Sequence, residues 1–145
     1  YPELFARQLH RRHKMMEALK DYAERGGKIL AEGGGMLFLG RSLKSKENGT
    51  AYSMSNILPI DFIVPAMPKL QSGYRKTVGE DMELKGYEFR YTTIQQDDTL
   101  ITNRRSMITN LKGSEELMPF YRYKNVLASH IHWYWGDKDL IKLWE

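Results

Sequence analysis

The chain has 145 residues, with 22 Lys+Arg against 18 Asp+Glu, a formal net charge of +4, and no cysteine. At 41% hydrophobic and 12% aromatic it is long and apolar enough for one domain with a real core, and it does not have the composition of a disordered chain. The missing cysteines exclude a disulfide scaffold, a Cys-ligated zinc or iron–sulfur site and a cysteine nucleophile. The mildly basic balance permits an anionic ligand without demanding nucleic acid. No apolar run reaches the ~18 residues of a membrane span and no signal peptide is visible, so the expected setting is cytoplasmic, away from membranes. The chain opens on Tyr1-Pro2-Glu3 rather than Met, which reads as a fragment or a processed product.

In chain order, residues 2–25 are predicted to form one amphipathic helix. Pro2 suits a first helical position, and Phe5, Leu9, Met16, Leu19 and Ala23 recur at helical spacing. Gly26-Gly27 ends it. Lys28 to Glu32 reads as a short buried strand, Gly33-Gly34-Gly35 as a tight turn, and Met36 to Leu43 as a helix. Strand, glycine turn and helix together are the grammar of an α/β sheet. Residues 44–56 are polar and turn-rich. From 57 to 92 the pattern is β-like, broken by Pro59, Pro65 and Pro68, with Gly73 to Thr77 and Tyr87 to Thr92 as strands of a meander. Residues 93–120 read as surface loop. Val126 leads into a strand that runs through Trp133, and Asp139 to Trp144 forms a short terminal helix.

Three constellations carry chemistry. A strand followed by glycines and a helix N-terminus presents backbone N–H groups to an anion or oxyanion. The turn at 33–35 is neither a P-loop nor a dinucleotide fingerprint, because no Gly-Lys-Ser/Thr follows and the glycine spacing is wrong. It is equally the turn of a chain that simply needs glycine there. His130 and His132, two apart, share one face of a strand, either as a metal-holding pair or as histidines packed beside aromatics. His10 and His13 lie in a basic stretch with Arg7, Arg11, Arg12, Lys14 and Lys20, read as a solvated face, since Glu17, Asp21 and Glu24 are interleaved and no nucleic-acid motif accompanies them.

Read together, several blocks resemble the C-terminal glutamine amidotransferase domain of the cobyrinic acid a,c-diamide synthases of cobalamin biosynthesis. Tyr1-Pro2-Glu3 is similar to the end of a Gly-Gly-aromatic-Pro-Glu motif. Ala31 through Leu43 (AEGGGMLFLGRSL) resembles the nucleophile segment. Gly73-Tyr74-Arg75 resembles a motif of the central strands, and Leu84 to Thr92 (LKGYEFRYT) a Gly-His-Glu-Phe-His-Tyr-Ser-like stretch. Asn125 to His132 (NVLASHIH) resembles the segment of the family's catalytic histidine. The blocks keep the family's order, and 93–120 matches least.

The resemblance implies a flavodoxin-like class I amidotransferase fold, with residues 1–145 as a single domain truncated at its N-terminus. It implies a cysteine on the turn after the central strand that attacks glutamine, a histidine base, and backbone N–H groups that hold the oxyanion. The ammonia would pass to an N-terminal domain that binds Mg-ATP, so no cofactor is expected in this chain. On this correspondence Gly33 stands at the nucleophile position, His132 at the base, and Tyr134 at a third, orienting position. Gly34 and Gly35 would make the backbone contacts to glutamine. Tyr87 and Arg90 replace two family histidines. The expected function is that of an ammonia-supplying domain of an ATP-dependent amidoligase, inactive as a glutaminase because residue 33 has no side chain. The expected partners are glutamine and the ATP-binding domain, with self-association if the fold's first strands are missing and one side of the central sheet is left open. The alternative is a non-enzymatic scaffold on the same fold. There the glycine turn holds an anion with Arg41 or Arg75, and Trp133, Tyr134 and Trp135 line the pocket or pack in the core.

Overall fold

A computed structural model of the chain describes residues 1–78, 82–97, 106–110 and 118–145. The single helix expected over 2–25 is two helices, α1 (Pro2–His10) and α2 (His13–Glu24). Arg12, at φ −89° and ψ 49°, stands outside helical geometry between them. The break lets each helix bury its own face: Ala6 of α1 against the elements that follow, Met16 and Ala23 of α2. It also lets His10 Nδ1 meet the Ser53 carbonyl at 3.1 Å, with the His13 ring edge-on to His10. The left-handed Gly26 (φ +86°) closes α2 as expected.

Strand β1 (Ile29–Glu32) runs through Gly33 into α3 (Gly34–Leu39). The helix expected to reach Leu43 stops at Leu39, because Gly40 turns extended to pass over Phe62. A Cβ at position 40 would stand 2.6 Å from that ring and 2.9 Å from the Ile60 carbonyl oxygen. The chain then forms β2 (Ser42–Ser45), β3 (Ala51–Ser53), inside the stretch expected as turns, and β4 (Ile60–Val64). Next come β5 (Gln71–Val78) and β6 (Lys85–Arg90), the expected meander, which pair antiparallel with Tyr74 opposite Tyr87. The surface loop expected over 93–120 is corrected: β7 (Thr93–Asp97), β8 (Ser106–Asn110) and the start of β9 (Met118–Tyr123) lie in it, while 98–105 and 111–117 fall outside the described residues. Their strand character comes from partners distant in sequence, β4 for β7 and β5 for β8. The strand expected from Val126 through Trp133 is two, β10 (Val126–Ser129) and β11 (Ile131–Trp133), broken at His130. A 3-10 turn (Leu140–Trp144), capped by Asp139 Oδ1 on the Ile141 N–H at 3.1 Å, ends the chain.

The described strands form two sheets, β1-β10-β9-β8-β5-β6-β11 and β3-β2-β4-β7. β1 is parallel to β10 and β2 to β4; the other ladders are antiparallel. Because only His130 separates β10 from β11, the ladder from β10 round to β11 returns to the segment it left. Inside that curl lie Leu84, Ile108, Phe120, Leu127, Ile131, Trp133 and Leu140. A second core, including Met36, Leu39, Leu58, Ile60, Phe62 and Val126, draws on the helices, the smaller sheet and the β1-β10-β9 end of the larger one. The molecule is thus mixed α/β, with the β1–α3 turn at the seam where both cores meet.

Candidate functional site

The β1–α3 turn is tightly determined. The Gly33 N–H donates to the Ser129 carbonyl at 3.0 Å, extending the parallel β1–β10 ladder by one bond. Gly33 then takes φ +52° and ψ −116°, the sharp reversal of a strand-to-helix elbow, which L side chains rarely adopt. A Cβ at this position would point at His132, 2.5 Å from Nε2. The neighbouring Gly34 is needed for a close approach of a different kind: a Cβ there would stand 2.6 Å from Pro2 Cδ, so Tyr1–Glu3 lies directly against the turn.

His132 arrives there through two polar contacts. Ser129 Oγ accepts the Ile131 N–H at 3.2 Å at the β10–β11 corner, and Glu32 Oε1 accepts the Trp133 N–H at 2.7 Å. The residue just before the elbow therefore clamps the residue just after His132. At the corner itself His130 is buried, with its ring edge-on to Phe62 at 5.8 Å. Burial pushes its pKa down to about 3, helped by the Arg90 cation, so the imidazole is neutral.

A cavity of about 220 Å³ opens on this turn, with Gly33, Gly34 and His132 on its wall together with Glu3, Arg90, Thr92 and His130. Arg90 is pinned by Glu88, whose carboxylate, 1% exposed, also takes Arg75: the distances are 2.6 Å for Arg90 Nε and 2.8 Å for Arg75 Nε.

The structure therefore brings Gly33, Gly34 and His132 together around one cavity. Gly35 packs inward, its Cβ position 3.7 Å from Ala31 Cβ. Tyr134 is exposed, with its ring across Gly136, and among the described residues it makes no hydrogen bond to His132. It lines, with His132, Tyr74, Tyr87 and Trp133, a second hollow. The two arginines of the anion-scaffold alternative are engaged elsewhere, Arg41 with Asp61 at 2.5 Å and Arg75 with Glu88 at 2.8 Å. The Arg41 guanidinium and Ser42 Oγ hold the Asp61 carboxyl below its usual range despite partial burial. Trp133 is core, Trp135 exposed. His130 and His132 do not share one strand face; one is buried at a corner and the other exposed on β11. Among the described residues no group of three or more His, Asp or Glu side chains assembles for a metal. Sequence reasoning missed Glu32 and the Arg75–Glu88–Arg90 chain. Glu32 carried no signal beyond preceding the glycines, and Arg90 stood out only as a departure from a motif.

The model of the CobB/CobQ-like glutamine amidotransferase domain matches residues 1–140, a span that holds the elbow, His132 and the Tyr1–Glu3 segment. The chain belongs to this family. Within it, the chain is 32% identical over 142 residues to a cobyrinate a,c-diamide synthase of Caldanaerobacter subterraneus subsp. tengcongensis, covering 91% of this chain and 30% of that protein. It is 35% identical over 137 residues to a hydrogenobyrinate a,c-diamide synthase of a Sinorhizobium species, covering 91% and 31%. It is 25% identical to a cobyrinate a,c-diamide synthase of Leptospira interrogans serovar copenhageni, covering 94% and 32%. The chain spans under a third of the length of these relatives. As a CobB/CobQ-like glutamine amidotransferase domain, it places its elbow and His132 inside the region that the family shares.

Proposed function

We propose that this chain is the ammonia-supplying domain of an amidoligase of the cobyrinate a,c-diamide synthase kind, with residue 33 at the nucleophile position and His132 as its base. The observation that carries the reading is the elbow: a side chain at 33 would project from a left-handed residue straight at His132 Nε2. With a thiol at 33, His132 would take its proton and the sulfur would attack the glutamine amide carbon. The C–N bond would then break with ammonia leaving, and water would release glutamate from the thioester. The N–H groups of Gly34 and Gly35, in the first turn of α3 where no helical carbonyl reaches them, would hold the oxyanion. With Gly33 no sulfur is present, and the chain does not perform this chemistry by itself. The flavodoxin-like sheet that the resemblance implies would be built outward from the parallel β1–β10 pair. Mg-ATP and the corrinoid carboxylates would be handled by a companion domain. Tyr134, which makes no hydrogen bond to His132 among the described residues, is given no orienting role.

The test is an ammonia-release assay on the chain and on Gly33→Cys, each also treated with a diazoketone analogue of glutamine and weighed by mass spectrometry. The chain as it stands is expected to release no ammonia above a buffer blank and to stay unlabelled. The variant is expected to gain one adduct at the introduced thiol. Glutamine hydrolysis by the unsubstituted chain would refute the reading. The second reading, a scaffold that binds without turnover, is favoured by Gly33 itself, and a variant that takes no adduct would turn the balance toward it.

A further inference from the structure

The sequence holds five asparagines, and only Asn48 is followed by glycine; the other four precede Ile57, Arg104, Leu111 and Val126. Asn48-Gly49 forms the tip of the β2–β3 hairpin. Lys44 stands opposite Ala51, and the Ser45 N–H donates to the Thr50 carbonyl at 2.9 Å, so residues 46–49 are the loop beyond the last bond of the hairpin. Asn48 and Gly49 are both exposed, and a Cβ at Gly49 would meet no atom within 4 Å. Gly49 takes φ +69°, the left-handed turn conformation that suits glycine. Among the described residues its N–H makes no backbone hydrogen bond.

One bond crosses this tip. The Thr50 N–H donates to Asn48 Oδ1 at 3.0 Å, which folds the side-chain amide back over the Gly49 peptide. The Gly49 nitrogen and Asn48 Cγ become the ends of a five-membered imide ring once they are joined. Attack of that nitrogen on Cγ builds negative charge on Oδ1, the oxygen to which the Thr50 N–H already donates. A donor aimed in advance at the atom that gains charge lowers the barrier. Residue 49 has no side chain to crowd the ring as it closes, and nothing packs over it.

We infer that Asn48-Gly49 is a self-modification site, at which the folded hairpin deamidates Asn48 with the Thr50 N–H as oxyanion donor. A base from solvent takes the Gly49 amide proton, and the N–Cγ bond forms. The Cγ–Nδ2 bond then breaks, and Nδ2 leaves as ammonia with a proton from water. Water opens the imide at either of its two carbonyls, giving aspartate from one and isoaspartate from the other. The sum is one water taken up and one ammonia lost, with no oxidant or reductant. The product carries one more negative charge, set against a formal +4 for the chain. Where isoaspartate forms, the main chain gains a carbon inside the loop that Ser45 and Thr50 close. The reaction needs no glutamine and ends at one ammonia per chain, so it stands apart from the glutaminase chemistry proposed for residue 33.

Incubation of the full 145-residue chain in warm, mildly alkaline buffer tests it, followed by ion exchange and mass spectrometry. A species one mass unit heavier and one charge more acidic is expected to accumulate. Fragment spectra are expected to place the change at residue 48, with aspartate and isoaspartate both present. A blocked peptide of residues 46–51, which lacks the closed hairpin, is the comparison. The folded chain is expected to convert faster than that peptide, by up to about fivefold, the factor that one net hydrogen bond supplies. Asn48→Gln keeps an amide but would need a ring one atom larger, and it is expected to stay unconverted. The substitution lies on an exposed tip, so the variant folds as the chain does. A folded chain that converts no faster than the peptide overturns the inference. So does aspartate without isoaspartate, since an imide opens both ways, and so does a mass gain that persists in Asn48→Gln.

Discussion

At the scale of single residues, Gly33 holds a backbone geometry that any side chain would strain. Its φ of +52° is comfortable only for glycine, and the direction of its absent Cβ is occupied by the His132 ring. Gly33→Cys is therefore expected to lower the unfolding free energy by about 1 kcal/mol, read from paired urea melts, even as it supplies the thiol that the proposed chemistry needs. Equal or greater stability would mean that the elbow is unstrained. His130 matters for a different reason. Its pKa falls from 6.5 in the unfolded chain to about 3 when folded, so between these values the unfolded chain binds the extra proton. Stability contributed by the neutral, buried ring is thus whole above pH 6.5 and declines as pH falls toward 3. A single proton gives a slope of up to about 1.4 kcal/mol per pH unit. Denaturant melts in that window should show the decline, and His130→Gln should flatten it; an unchanged slope would separate His130 from the acid sensitivity.

Among elements, the join between the end of β1 and β11 matters most. Glu32 and Trp133 are 101 residues apart in sequence, yet one hydrogen bond sets β11 beside the elbow and so places His132. Glu32→Ala leaves the Trp133 N–H without that acceptor, at an expected cost of about 1–3 kcal/mol. The same variant should shift the His132 ring resonances in an NMR spectrum. An unmoved His132 signal would show that the β6 ladder, with Tyr87 opposite His132, holds the ring by itself. The division of α1 from α2 works in the same way. A continuous helix would satisfy local spacing, but the two halves each bury their own residues, Ala6 in α1 and Met16 and Ala23 in α2.

For the molecule as a whole, the edges of the larger sheet set its behaviour in solution. Among the described strands β1 pairs only with β10. Its ladder bonds run through residues 29, 31 and 33, so the backbone groups of Leu30 and Glu32 face the free side. Free edges template pairing with a second chain. Self-association is expected at about 100 μM, within the μM–mM range where exposed strand edges associate, and light scattering reads it. A monodisperse monomer there would show the β1 edge to be covered by other means. No helix among the described residues is long and apolar enough to cross a membrane.

The sequence by itself determined the parts whose causes are local. The apolar run of β1, three glycines and an apolar turn of helix specify the elbow. The alternation in 71–78 and 85–90 specifies a meander, and the order of the motif blocks places the chain in its family. Tertiary structure alone decided the rest, because the deciding partners lie far along the chain. β7 and β8 are strands by virtue of β4 and β5. The strand through Trp133 breaks at His130 because β9 claims its first half and β6 its second. Arg90 became more than a departure from a motif only once Glu88 was seen to hold it at the cavity wall. Residue 33 could be read as an absence from composition; that the absence faces His132 follows only from the parallel pairing of β1 with β10 and the turn at His130 that brings β11 back over it.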